Sequence, residues 1–177
     1  MTNTKWVVDA SHSSIDFSVK HMMVAKTKGV FNKFDASIEA DPADLTSANI
    51  EFTIDTASID TRNNDRDTHL RSADFFDVEN KPSITFKSTK IVKTSDDEYD
   101  VTGDVTIKGV TRSETFAVTF EGQGKNPWGQ EVAGFSGKGT INRSDYDLTY
   151  NAALETGGVL IGDKITISLE IEASKEA

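Results

Sequence analysis

The chain contains no cysteine. That absence removes disulfides, thiol nucleophiles and cysteine-ligated zinc together. Positive charge is also scarce: 19 Lys and Arg stand against 29 Asp and Glu, a formal net charge of −10. No Lys/Arg cluster offsets it, so duplex nucleic acid and anionic membrane surfaces are poor partners. A partner is expected to be neutral or to be bound inside. No stretch approaches the roughly 18 apolar residues of a membrane span. The opening MTNTKWVVDASHSS has neither the charged region nor the apolar region of a signal peptide. As written, the chain is expected in the cytoplasm, and in the periplasm or outside the cell if a leader has been removed.

What the sequence does have is alternation, the mark of half-buried strands. Ile15, Phe17, Val19 and His21 share one face, with Asp16, Ser18 and Lys20 on the other. Val30, Phe34, Ala36 and Ile38 are opposed by Lys33, Asp35, Ser37 and Glu39, and Ile50, Phe52 and Ile54 by Glu51, Thr53 and Asp55. The design recurs at Ile84 and Phe86, at Tyr99, Val101, Val105 and Ile107, at Phe116, Val118 and Phe120, at Phe135 and Ile141, and from Ile165 to Ile171. One wet face and one dry face describe an antiparallel sheet. Roughly eight such strands close into a barrel or stack as a sandwich. Turns are marked at Asp41-Pro42, Asp96-Asp97, Lys108-Gly109 and Asn126-Pro127. No linker, low-complexity tract or repeat divides the 177 residues, so residues 1–177 read as a single domain.

Six of the twelve glycines fall between Gly122 and Gly139. Gly134, Gly137 and Gly139 lie in strand-like sequence, where glycine marks a bend, a bulge or the close approach of another group. Either a barrel corner or room for a ligand accounts for them.

Alternation stops between Ile59 and Pro82. The spacing predicts a short helix near residues 64–73, N-capped by Asn64 with Asp67 three positions on. Asp65 and Asp67 suit the positive end of the helix dipole. Asp67 and Arg71 are spaced for an ion pair, while Arg66, His69 and Leu70 share a face. Phe75 and Phe76 require burial. Asp67, two positions before His69, does not face it on a helix, and no activated nucleophile stands out. His69 is therefore expected to fasten the helix to a strand rather than to act in catalysis. His12, His21 and His69 lie on different elements without a metal-ligand spacing, so no metal and no cofactor are expected.

These residues resemble the YceI-like family. The resemblance rests on Asp9-x-x-His12-Ser13-x-Ile15-x-Phe17-x-Val19-x-His21, Gly29-x-Phe31, Ser58-Ile59-x-Thr61, Arg66-Asp67-x-His69-Leu70 and Phe75-Phe76-Asp77. It continues through Pro82-x-Ile84-x-Phe86-x-Ser88, Gly103-x-x-Thr106-Ile107-x-Gly109-Val110-Thr111 and Ile141-x-Arg143-x-Asp145-Tyr146. The resemblance implies an all-β fold, an extended eight-stranded antiparallel lipocalin-like barrel with a long apolar cavity. It also implies a polyisoprenoid, isoprenoid quinone or fatty-acid derivative as ligand, and a homodimer.

The residues expected to contact such a ligand are Phe17, Val19, Phe34, Ile38, Phe52, Ile54, Leu70, Phe86, Val101, Val105, Phe116, Val118, Phe135 and Ile167. Burying about fifteen carbon units would gain roughly 12 kcal/mol gross. Association costs of ~4–15 kcal/mol offset much of that, so affinity requires a preformed cavity. Three functions compete. The first is a non-catalytic carrier of a long-chain amphiphile. The second is a metal-dependent enzyme using His12, His21 and His69. The third is a filled barrel acting in stress response or protein interaction. A cavity separates the first from the third, and the positions of the histidines test the second.

Overall fold

Alternation becomes a wall when strands pair with their apolar faces on the same side. The strand Glu98–Ile107 shows this: Tyr99, Val101, Val105 and Ile107 are buried, while Asp100 and Asp104 are exposed. Its neighbours place Val105 opposite Phe86, and Val101 opposite Ile91 on one side and Phe116 on the other. The outer face carries hydroxyl pairs instead, Thr102 with Thr115 at 2.8 Å and Thr106 with Thr111 at 2.7 Å. Lys108 and Gly109 both take positive φ, the conformation that a two-residue hairpin turn requires.

The structure is a computed structural model and describes residues 3–21, 24–149 and 161–176. Its strands are β1 (Thr4–Val8), β2 (Ser14–His21), β3 (Ala25–Phe31), β4 (Phe34–Asp41), β5 (Asp44–Asp55) and β6 (Ile59–Asp60). After the helix α1 (Asn64–Arg71) come β7 (Ser83–Lys93), β8 (Glu98–Ile107), β9 (Val110–Lys125), β10 (Glu131–Asn142) and β11 (Ile161–Lys175). All pairings are antiparallel. The segments β1 and β2 lie end to end along β11, β1 on Ala173–Lys175 and β2 on Ile161–Glu170. In the same way β3 and β4 continue one another, as do β5 and β6. Eleven segments thus make eight strand positions, and the β1–β11 pairing closes them into a barrel.

The bend between β1 and β2 is a 3-10 turn at Ala10–His12, capped by the Asp9 carboxylate on the Ser11 N–H. Hydrogen bonds from the Ser11 hydroxyl and the His12 ring hold the Asp9 carboxyl down to about 2. Ser13 Oγ and the backbone of Glu172 then tie the bend to β11.

Two further elements brace one end. The β5–β7 ladder stops at Asp55–Ser83, and β6 pairs with β3 instead; α1 packs against β6 there. The β9–β10 ladder stops at Ala117–Lys138. Beyond it, a 3-10 turn at Arg143–Tyr146 docks on β9 through Tyr146 Oη donating to Glu114 and Arg112 Nε donating to the Asp145 carbonyl. Burial and the Glu114 carboxylate push the Tyr146 hydroxyl far above the usual range, so it stays a donor. Arg143 is only 5% exposed. Its guanidinium donates to the carbonyls of Leu148, Gly162 and Ile161, which binds the turn to β11.

The helix forms where expected, with different capping and different fastenings. Asn63, not Asn64, is the N-cap, its side chain accepting from the Arg66 N–H. Asp67 does not pair with Arg71. It is buried and accepts from the Thr61 N–H and hydroxyl, groups that would otherwise lack partners. Arg71 instead donates to the carbonyls of Ala57 and Ile59, two of the acceptors left where β5 gives way to β6. Arg66 donates to Thr61. Arg66, Asp67 and Arg71 thus fasten the helix to Ala57, Ile59 and Thr61. His69 sits half-buried, 3.2 Å from Asp74 and edge-on to Phe75. Sequence spacing found the helix face; backbone acceptors exposed by the splayed strands decided where its charges go.

Three glycines sit directly against aromatic rings of the interior. A Cβ on Gly29 would overlap the ring of Phe17, its direct cross-strand partner; one on Gly103 would overlap Phe86; one on Gly139 would overlap Phe116. Each missing side chain leaves the room that the phenyl ring beside it occupies. Phe86 and Phe116 then meet edge to face at 5.7 Å, a favoured aromatic geometry. Gly134 serves differently, sitting where the β9–β10 register shifts.

Two outcomes follow. Asp67→Ala should lower stability by roughly 1–3 kcal/mol, the cost of leaving the buried Thr61 donors unpaired, and His69→Ala by less; chemical denaturation of both variants gives the order. Gly139→Ala should destabilise by roughly 1–3 kcal/mol through overpacking. Adding Phe116→Leu should recover most of that loss, and additive effects would show that the ring does not need the glycine.

Candidate ligand-binding cavity

Aromatic rings and inward aliphatic side chains line a cavity of about 610 Å³ in the barrel. That lies within the roughly 300–1,000 Å³ of sites that hold small ligands. Of the fourteen residues expected to contact a ligand, thirteen line it: Phe17, Val19, Ile38, Phe52, Ile54, Leu70, Phe86, Val101, Val105, Phe116, Val118, Phe135 and Ile167. Phe34 does not. It keeps the inward parity of β4, opposite Ile54, but its ring stacks on Phe52 at 6.4 Å instead of reaching the wall.

The wall also includes residues that the alternation had marked without promoting them, among them Ile15, Ile50, Ile84, Ile165 and Leu169. Phe75 and Phe76, which follow α1, complete it near the helix, Phe76 edge-on to Phe31 at 6.3 Å.

Polar side chains border the cavity too, and selection by alternation misses them. Arg66, His69 and Leu70 all face it, as their i, i+3, i+4 spacing requires. Asn63 and Asp65 join them from the start of α1, Thr27 and Thr61 from β3 and the segment after β6, and Arg143 from the 3-10 turn. The signal was present in the helical spacing of Arg66, His69 and Leu70.

The three histidines do not assemble a metal centre. His12 precedes β2 and His21 ends it, so at about 3.3 Å per residue they stand on the order of 30 Å apart along the strand. Ligands of one zinc ion each lie about 2 Å from it. The side chain of His21 lies outside the described residues, but no rotamer spans that distance. His12 is exposed, 2.8 Å from Asp9 and 3.6 Å from Glu172, and its ring is raised above the usual histidine value chiefly by the Asp9 hydrogen bond.

Comparison with known proteins agrees with this architecture. The UPF0312 protein of Staphylococcus epidermidis is 48% identical over 172 residues, covering 97% of this chain and 98% of that protein. Its counterpart in Staphylococcus aureus strain N315 is 43% identical over the same length. Among solved structures, Burkholderia cenocepacia BcnA superposes with a TM-score of 0.82 at 29% identity, over 93% of this chain and 98% of that one. The Campylobacter jejuni YceI protein does so with a TM-score of 0.77 at 33% identity, over 89% and 90%. A polyisoprenoid binding domain from Saccharophagus degradans shares the fold, with a TM-score of 0.68 at 14% identity over 97% and 98%. The family model of the YceI-like domain matches residues 6–173, and the chain belongs to that family.

Proposed function

We propose that this protein is a non-catalytic carrier or sequestering protein for one long-chain amphiphile, a polyisoprenoid, an isoprenoid quinone or a fatty-acid derivative. The observation that carries this reading is the cavity of about 610 Å³ walled largely by Phe, Ile, Val and Leu. Such a space in water favours an apolar occupant, at roughly 25 cal/mol for each Å² of apolar surface removed from solvent. A closed barrel supplies it preformed, so little of that gain is lost to ordering the protein on binding. The polyisoprenoid binding domain from Saccharophagus degradans supports the reading at the level of the fold. In a homodimer each subunit would keep its own cavity, giving one chain per subunit.

The purified protein should carry a long-chain molecule through high salt and gel filtration, because binding inside the barrel does not depend on surface charge. Extraction into organic solvent followed by mass spectrometry should release about one chain per barrel. Phe52→Asp should abolish uptake of a lipophilic fluorescent probe, since an unpaired carboxylate on the wall is costly to bury; circular dichroism checks that the variant folds. An empty extract, together with refusal of added isoprenols, quinones and fatty amides by the folded protein, would sink the carrier reading.

A further inference from the structure

We propose that Arg66 is the head-group anchor of the cavity and selects amphiphiles that end in an anionic oxygen group, a carboxylate or a phosphate. This rests on the reading of the cavity as an amphiphile site and adds the chemistry of the ligand's polar end. Arg66 borders a cavity whose other walls are overwhelmingly apolar. Its guanidinium is held from behind: Nε donates to Thr61 Oγ1 at 2.8 Å and Nη2 to the Thr61 carbonyl at 2.7 Å. Thr61 Oγ1 in turn donates to the buried Asp67 carboxylate, which fixes the hydroxyl as an acceptor for Arg66. A guanidinium has five N–H donors, and this arrangement commits two of them.

Among the described residues no carboxylate pairs with it directly; Asp67 reaches it only through the Thr61 hydroxyl. None of the ion pairs among the described residues includes Arg66. Asp67, its chain neighbour, is turned to Thr61. Asp65 borders the cavity, but adjacent positions on a helix do not face one another. The charged groups on the rim of the cavity are Arg66 and Lys20 against Asp65 and Asp16, with His69 paired to Asp74 and Arg143 bound to three backbone carbonyls. The rim is thus near neutral, unlike the whole chain with its formal charge of −10. Salt screens the distant charges over about 8 Å, whereas a group seated against Arg66 meets a guanidinium at hydrogen-bond range. The planar fork fits carboxylate and phosphate oxygens and has no complement for an ammonium.

The competing account makes Arg66 only a staple between α1 and Thr61. The two accounts separate on head-group preference. Tetradecanoate, tetradecyl phosphate, tetradecanol and tetradecylamine share one chain, and each can displace a lipophilic probe at pH 8 in physiological salt. Both anions should bind about tenfold or more tighter than the alcohol, the scale of one charge-assisted hydrogen bond, and the amine should bind weakest. Arg66→Gln should reduce the anion-to-alcohol ratio to about one, and Arg66→Lys should keep part of it. The ratio is read within each variant, so loss of helix stability does not mimic the effect.

Equal binding of anions and alcohol by the unmodified protein would overturn the anchor while leaving the carrier reading intact. A ratio unchanged in Arg66→Gln, or tightest binding by the amine, would do the same. Failure of all four chains to displace the probe would instead count against the cavity as an amphiphile site.

Discussion

The seam at β11 is the constraint on which the rest of the molecule depends. Its fifteen residues pair with β10 along one edge and with both β2 and β1 along the other. Without the β1 and β2 pairings the sheet would be open, its apolar face would meet water and its edge backbone groups would lack partners. Closure satisfies the ladder and turns every inward side chain toward one lumen. The 3-10 turn at Ala10–His12 allows this, because it lets one stretch of chain serve β11 twice at a changed angle. Asp9, Ser13 and Glu172 hold that bend, which explains why a polar cluster occupies a corner of an otherwise regular wall.

Closure makes a lumen, but side-chain volume decides whether it is filled. An eight-stranded barrel is just wide enough to be packed solid or to hold one ligand. Here the balance is set by pairing large rings with missing ones. Phe17, Phe86 and Phe116 each rest over a glycine on a neighbouring strand. They take the space that a side chain at the glycine would fill, and they line the cavity. The same residues contribute to stability and to the space for a ligand, so the two properties cannot be tuned separately at these positions.

The barrel is unequal at its two ends. Near α1 and the 3-10 turn at Arg143–Tyr146 the ladders stop early, and arginines bind the carbonyls in those regions: Arg71 those of Ala57 and Ile59, Arg143 those of Leu148, Gly162 and Ile161. Each of these arginines satisfies more than one backbone acceptor at once. This gathering of polar groups gives the apolar cavity a direction.

Local pattern by itself marked most of the strands, the turns, the helix and much of the apolar wall, but not β1, β6, the outward side of Val30 or the wall residues Leu45, Ile91 and Leu148. Those features depend on the period of side-chain direction, two for strands and 3.6 for helices, and the period is written in residues close in sequence. Tertiary structure decided the rest. Phe34 follows the alternation faithfully, yet its ring is taken up by Phe52, a contact between β4 and β5 that no periodicity contains. Asp67 has the spacing to pair with Arg71, but the unpaired donors of Thr61 claim it. The glycines were visible as gaps, whereas the rings that fill them come from other strands. Which polar side chains meet at the rim depends on where strands separate, and that follows from closing the whole sheet. Short-range geometry repeats along the chain and can be read there; closure is a property of all the strands together.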